Sequence, residues 1–141
     1  VAQFKNAEAA LVLSSGYQTN ASGLAALLDK SLWGGVEPLV FTDRLNHASL
    51  HHACQLAGVK QVRFRHNDMA HLAELLNKHA DSTQPRIIVS ETVFGMEGDL
   101  LPVEQLAEIA LQHKAVVYQQ TTRMSVLFFR LLFQRRPAHR S

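Results

Sequence analysis

At 141 residues, 47% hydrophobic and 18% charged, the chain has the make-up of one folded globular unit and not of a disordered segment. Its single cysteine excludes an internal disulfide, and its longest apolar run, Val126 to Phe133, is broken by Arg130 and falls far short of the ~20 residues that span a bilayer. The formal net charge of +2 hides an asymmetry: all 12 acids lie between Glu8 and Glu108, whereas residues 119–141 hold five arginines and no acid. The basic balance therefore describes the tail, and charge gives the body no nucleic-acid reading.

The apolar pattern alternates in kind along the chain. Ala10 to Leu13 reads as a short buried strand, and residues 18–30 carry Ala21, Leu24, Leu27 and Leu28 at helical spacing. Pro38 to Phe41 predicts a strand and Ala48 to Ala57 a helix. Val62 and Phe64 alternate with Arg63 and Arg65 in a half-exposed strand, after which Asn67-Asp68 offers a cap for a helix bearing Met69, Leu72, Leu75 and Leu76. Arg86 to Ser90 is β-branched and strand-like. Pro102 opens a helix with Val103, Leu106, Ile109 and Ala110 on one face, and Ala115 to Tyr118 is the next strand. This alternation predicts an α/β layer with a mainly parallel sheet and helices on both faces. At the N-terminus Val1 replaces an initiating Met, which suggests an excerpt or a processed chain. The first residues lack the apolar run of a signal peptide, and with one lone cysteine a cytoplasmic location is expected.

Ligands of open α/β sheets gather at the carboxyl ends of strands. Three polar segments fall there: Ser14 to Asn20, Asp43 to Leu50, and Ser90 to Asp99. In the first, Ser15-Gly16-Tyr17 joins a strand to a helix. It reads either as a plain cap or as an anion cradle, because glycine admits a close backbone approach and a helix N-terminus favours phosphate. In the second, His47 reads as a helix cap or a partly buried polar group. Asp43, His47 and His51 are spaced like a metal-binding helical face, but Asp43 is expected to end a strand, and we assign no metal. The remaining histidines (51, 52, 66, 71, 79, 113 and 139) read as solvated or capping groups. Glu91 reads as a loop anchor, or as an acid or base. Cys54 reads as a small packed residue.

In order and spacing these three segments resemble the α-oxoamine synthases, pyridoxal-phosphate enzymes that condense an amino acid with an acyl thioester. The resemblance covers residues 1–118. It implies an incomplete large domain of a fold-type-I transferase that binds pyridoxal 5'-phosphate. The phosphate would be cradled at Gly16 and Tyr17, and His47 would stack on the ring and bond the substrate carboxylate. Gly95 stands where the family usually has a serine whose hydroxyl reaches the cofactor, so that contact is in question. The nearest likeness is to the branch that joins L-alanine to a pimeloyl thioester, carried on CoA or a carrier protein, with loss of carbon dioxide in biotin synthesis. Sister enzymes use glycine or serine. Family members are homodimers with the site at the subunit interface, and neither nucleic acid nor membrane is implied as a partner.

The resemblance breaks after Tyr118. The family continues Asp-Asp/Glu-Ala-His, in which the Asp pairs with the ring nitrogen and the His reaches the ring hydroxyl. This chain reads Gln119-Gln120-Thr121-Thr122-Arg123-Met124. Read from the third base of the Gln120 codon, the degenerate codons can spell Asp-Asp-Ala-His. A single-base frameshift near residue 119 would make 119–141 a basic tail foreign to the family. The alternative is a genuine divergent tail, an amphipathic helix presenting Val126, Phe129 and Phe133, on a non-catalytic interaction subunit. In either case Lys5, Lys30, Lys60, Lys78 and Lys114 do not match the family's Schiff-base lysine, so the 141-residue chain is expected to be inactive by itself.

Overall fold

The computed structural model describes residues 19–91, 100–120 and the backbone of 127–130. Its centre is a five-stranded sheet of β1 (Leu39–Asp43), β2 (Gln61–Phe64), β3 (Arg86–Glu91), β4 (Val116–Gln120) and β5 (Leu127–Arg130), in the order β2-β1-β3-β4-β5. The first four strands are parallel, and β5 closes the far edge antiparallel to β4. The register sets Phe41 opposite Val62 and Ile88, Val89 opposite Tyr118, and Glu91 opposite Gln120. The expected strand at Ala10 to Leu13 lies outside the described residues.

Successive side chains on a strand point to opposite faces, and the two cores follow that alternation. Leu39, Phe41, Phe64, Ile88 and Val117 pack on one face with Met69, Leu72 and Leu76 of α3 (Met69–Lys78) and Leu106 and Ala110 of α4 (Val103–Gln112). Val40, Ile87, Val89 and Tyr118 pack on the other face. Their partners are Leu27 and Leu28 of α1 (Ala25–Leu28), and Leu50, Ala53 and Cys54 of α2 (Ala48–Ala57). Burial on both faces is why β1 and β3 read as nearly continuous apolar runs. The expected parallel sheet with helices on both faces is therefore present.

Helix boundaries follow local chemistry. Asp68 caps α3 by accepting the N–H of His71 at 2.9 Å, as the Asn67-Asp68 pair suggested. Gly58, at φ 70°, ends α2 in the left-handed conformation that only glycine adopts without strain, and its N–H returns to the Gln55 carbonyl at 3.0 Å. Pro102 precedes the first turn of α4.

Two expectations need correction. The single helix expected over 18–30 is three short pieces: a π turn at Thr19–Leu24, then α1, then a 3-10 turn at Lys30–Trp33. Gly23 weakens the first piece, and Asp29 starts the last by accepting the Ser31 N–H at 2.8 Å. The helical alternative for the tail also fails where the backbone is described. Leu127–Arg130 is a strand paired with Val117–Gln120, where the free edge of β4 offers ready partners. Among the described residues no helix is long and apolar enough to cross a membrane.

Candidate active site at the carboxyl edge of the sheet

β1, β3 and β4 end side by side, at Asp43, Glu91 and Gln120, and the residues following β1 fold over this edge. Asp43 organises that turn. Its carboxylate is fully buried and accepts the N–H of Leu45 at 2.8 Å and of Asn67 at 2.9 Å. The Nδ1 atom of His66 lies 3.2 Å from both carboxylate oxygens. One side chain thus ties the turn after β1 to the turn after β2, and its donors offset the cost of burying the carboxylate. Asn46 adds a third tether by donating from Nδ2 to the Val89 carbonyl of β3 at 2.9 Å.

These tethers deliver His47 to the edge as the N-cap of α2. Its Nδ1 accepts the Ser49 N–H at 3.1 Å and lies 2.8 Å from the Ser49 hydroxyl. The capping role that the residues alone suggested is therefore present, an unusual duty for a histidine, since short side chains dominate this position. His47 is exposed as a residue, while one of its ring nitrogens is engaged by the protein. The His47 N–H donates to the Glu91 carboxylate at 3.3 Å. Glu91 is only 4% exposed. Burial raises its pKa above the ordinary value, the His47 N–H and ring charge oppose that shift, and the nearby Asp43 carboxylate adds to it.

A second layer lies beneath. The two Nδ2 hydrogens of Asn20 serve the Ser49 hydroxyl oxygen at 2.8 Å and the Gln120 Oε1 at 3.1 Å, and Asn20 Oδ1 accepts the Tyr118 hydroxyl at 3.0 Å. Burial drives the Tyr118 phenol strongly upward in pKa, so it remains a neutral donor. Neither Asn20, Ser49, Tyr118 nor Gln120 stood out in the sequence as a site residue. Asn20 closes a motif whose glycine drew attention, and nothing in spacing reveals that residues 98 positions apart share a bond.

Of the residues singled out from the sequence, His47 and Glu91 come together here, whereas Gly16, Tyr17 and Gly95 lie outside the described residues. The metal-like trio is dispersed. Asp43 faces Leu45, His66 and Asn67, His47 faces Ser49, and His51 places Nδ1 2.8 Å from Gln61 Oε1. His51 and His66, expected as solvated or capping groups, are instead half-buried beside the Gln61 and Asp43 side chains. Cys54 is a packed core residue, as expected, and burial lifts its thiol pKa to about 11.

The polar groups at this edge suit a flat, polar ligand on one side and fail a pyridinium on another. The His47 ring supplies a planar face. Asn46 Oδ1 and Ser90 Oγ are buried at this edge without hydrogen-bond partners, the mark of a place where a further polar group completes the set. At the end of β4, however, the side chains are the neutral carboxamides of Gln119 and Gln120. A carboxamide carries no charge and cannot hold a pyridinium proton as a carboxylate does. Among the described residues the lysines offer nothing nearer. Lys60 and Lys114 precede β2 and β4, Lys78 ends α3, and Lys30 lies in the 3-10 turn that leads into β1.

The aminotransferase class I and II family model matches residues 1–119. The chain is 53% identical over 119 residues to an 8-amino-7-oxononanoate synthase of Gluconacetobacter diazotrophicus, covering 84% of this chain and 30% of the relative. A second 8-amino-7-oxononanoate synthase, from Trichlorobacter lovleyi, is 40% identical over 114 residues, covering 81% of this chain and 27% of the relative. The chain thus spans under a third of the length of these curated relatives. Among solved structures it superposes on a serine palmitoyltransferase from S. paucimobilis with a bound PLP-myriocin aldimine. The TM-score is 0.74 at 29% identity, covering 84% of this chain and 29% of that one. A serine palmitoyltransferase of Sphingomonas wittichii gives 0.73 at 28% identity, with 84% and 28% coverage.

Proposed function

We propose, for a chain that belongs to the aminotransferase class I and II family, that it is part of the large domain of a pyridoxal-phosphate-dependent α-oxoamine synthase whose cofactor site lies at the carboxyl ends of β1, β3 and β4. The observation that carries this reading is His47, held at that edge by its own helix cap and by Glu91, and exposed there. In such enzymes the cofactor withdraws electrons from the amino-acid α-carbon, which makes its proton removable. The part of this chain would be positional. Gly16 and Tyr17 would receive the phosphate, and Gly95 would allow close backbone approach. His47 would cover the ring and meet the substrate carboxylate, and Glu91 would fix the His47 backbone. Because Gln119 and Gln120 stand where a carboxylate is needed, no chemical step is assigned to the chain itself.

The complete protein would condense L-alanine with pimeloyl thioester, releasing carbon dioxide and the free thiol and giving 8-amino-7-oxononanoate, the product from which the relatives at 53% and 40% identity take their name. It would act in the cytoplasm as a homodimer. The serine palmitoyltransferases, at 28–29% identity, support the family more than that branch's substrate. The family match ends at residue 119, which supports a shifted reading frame for the residues beyond it. A second reading is a genuine tail on a non-catalytic subunit, with Leu127–Arg130 paired to β4 as a strand and not the amphipathic helix expected. DNA sequence across codon 119 separates the two: an open second frame encoding a lysine motif supports the first, and a stop in it the second.

The cofactor reading is tested by titrating pyridoxal phosphate into the isotope-labelled chain. Amide shifts should cluster at His47, Ser49, Ser90 and Glu91 and vanish in His47→Ala. Shifts confined to the surroundings of Lys60 and Lys114 would place binding at the wrong edge and refute it.

A further inference from the structure

The bond chain beneath His47 has a direction. Nδ1 of His47 accepts the backbone N–H of Ser49, so that nitrogen carries no proton in the neutral ring. The Ser49 hydroxyl, 2.8 Å from the same nitrogen, must then donate to it. A hydroxyl that donates needs its lone pairs satisfied from elsewhere, and Asn20 Nδ2 supplies that bond at 2.8 Å. Asn20 is itself fixed in orientation: its second Nδ2 hydrogen goes to Gln120 and its Oδ1 takes the Tyr118 hydroxyl. Asn20, Ser49 and Tyr118 are all buried, so no water competes for these bonds.

We propose that Asn20 is a positioning residue which, acting through the Ser49 hydroxyl, holds His47 as the Nε2-protonated tautomer and so presents an N–H donor at the ring edge away from Ser49. Its use for a substrate carboxylate rests on the reading of His47 given above, but the tautomer is a property of this chain alone. If Asn20 no longer donates, the Ser49 hydroxyl is free to turn and accept from Nδ1. The ring can then give up the Ser49 N–H bond, carry its proton on the inner nitrogen and offer the ligand an acceptor where a donor is required. Sequence separates these residues, since Asn20, Ser49 and Tyr118 belong to three elements, and the sheet brings them to one point.

The test is side-chain nitrogen NMR of the 141-residue chain at a pH where its imidazoles are neutral, with the amide spectrum reporting the fold. His47 should show the Nε2–H tautomer. Asn20→Ala should raise the Nδ1–H share about fivefold, the effect of losing roughly one ordinary hydrogen bond. Asn20→Asp, which is isosteric but cannot donate to Ser49, should do the same and serves if the alanine variant does not fold. In a Ser49→Ala background the Asn20 substitutions should have no further effect, and Ser49→Thr should restore the parent pattern. An Nδ1–H ring in the parent chain would overturn the proposal. So would unchanged tautomers in a folded Asn20 variant, or an equal Asn20 effect with Ser49 already removed. Because no cofactor is added, this result and the pyridoxal-phosphate titration can fail independently.

Discussion

The Glu91 carboxylate accepts the backbone N–H of His47 at 3.3 Å across 44 residues of chain, joining the end of β3 to the cap of α2. This contact tethers the His47 backbone, and it does so with a carboxylate that burial makes reluctant to ionise. A carboxyl whose folded pKa is raised contributes most to stability below its ordinary value of 4.5, and that contribution is lost as pH rises through the folded value. Glu91→Gln keeps an acceptor for His47 and removes the charge. Denaturant midpoints should therefore be nearly equal at pH 4, with the variant the more stable at pH 7. An equal difference at both pH values would show that Glu91 is not strained by its charge.

Asp43 is the anchor with the largest structural consequence. Replacing it by Ala would leave the N–H groups of Leu45 and Asn67 without their acceptor and His66 without its carboxylate. Urea unfolding should show a loss of about 3 kcal/mol, the scale of stranding buried polar partners. A loss below about 1 kcal/mol would mean that water replaces the carboxylate.

Cys54, fully buried with its thiol raised to about 11, should be inert to thiol reagents in the native chain near pH 8 and should react at once in denaturant. Rapid labelling of the folded protein would contradict the packing of α2 against the sheet.

Much of this fold was legible in the residues because burial on both faces leaves a simple pattern. Val40, Phe41, Ile88 and Val89 are apolar without interruption, and Leu72, Leu76, Leu106 and Ala110 recur at helical spacing. The Asp68 cap was readable because it acts within a few residues of itself. The helix before β1 was misjudged because apolar periodicity does not report how Gly23 and Asp29 divide it. For the site, His47 could be found from its motif, but its support could not. Asn20, Ser49, Tyr118 and Gln120 meet only through strand order and register, which place the end of β4 beside β3 and beneath the start of α2. Asp43 was legible as the end of a strand, not as the residue that binds two turns together.

The most direct measurement is borohydride reduction of the 141-residue chain mixed with pyridoxal phosphate, followed by peptide mapping of any pyridoxyl-lysine. Lys30, Lys60, Lys78 and Lys114 stand in the elements and turns described above and none belongs to the cluster around His47, and the end of β4 offers only carboxamides. Scattered, substoichiometric labelling and no stable yellow species are therefore expected. One lysine labelled in every molecule, with that labelling lost in His47→Ala, would contradict that expectation and move the catalytic centre into this chain.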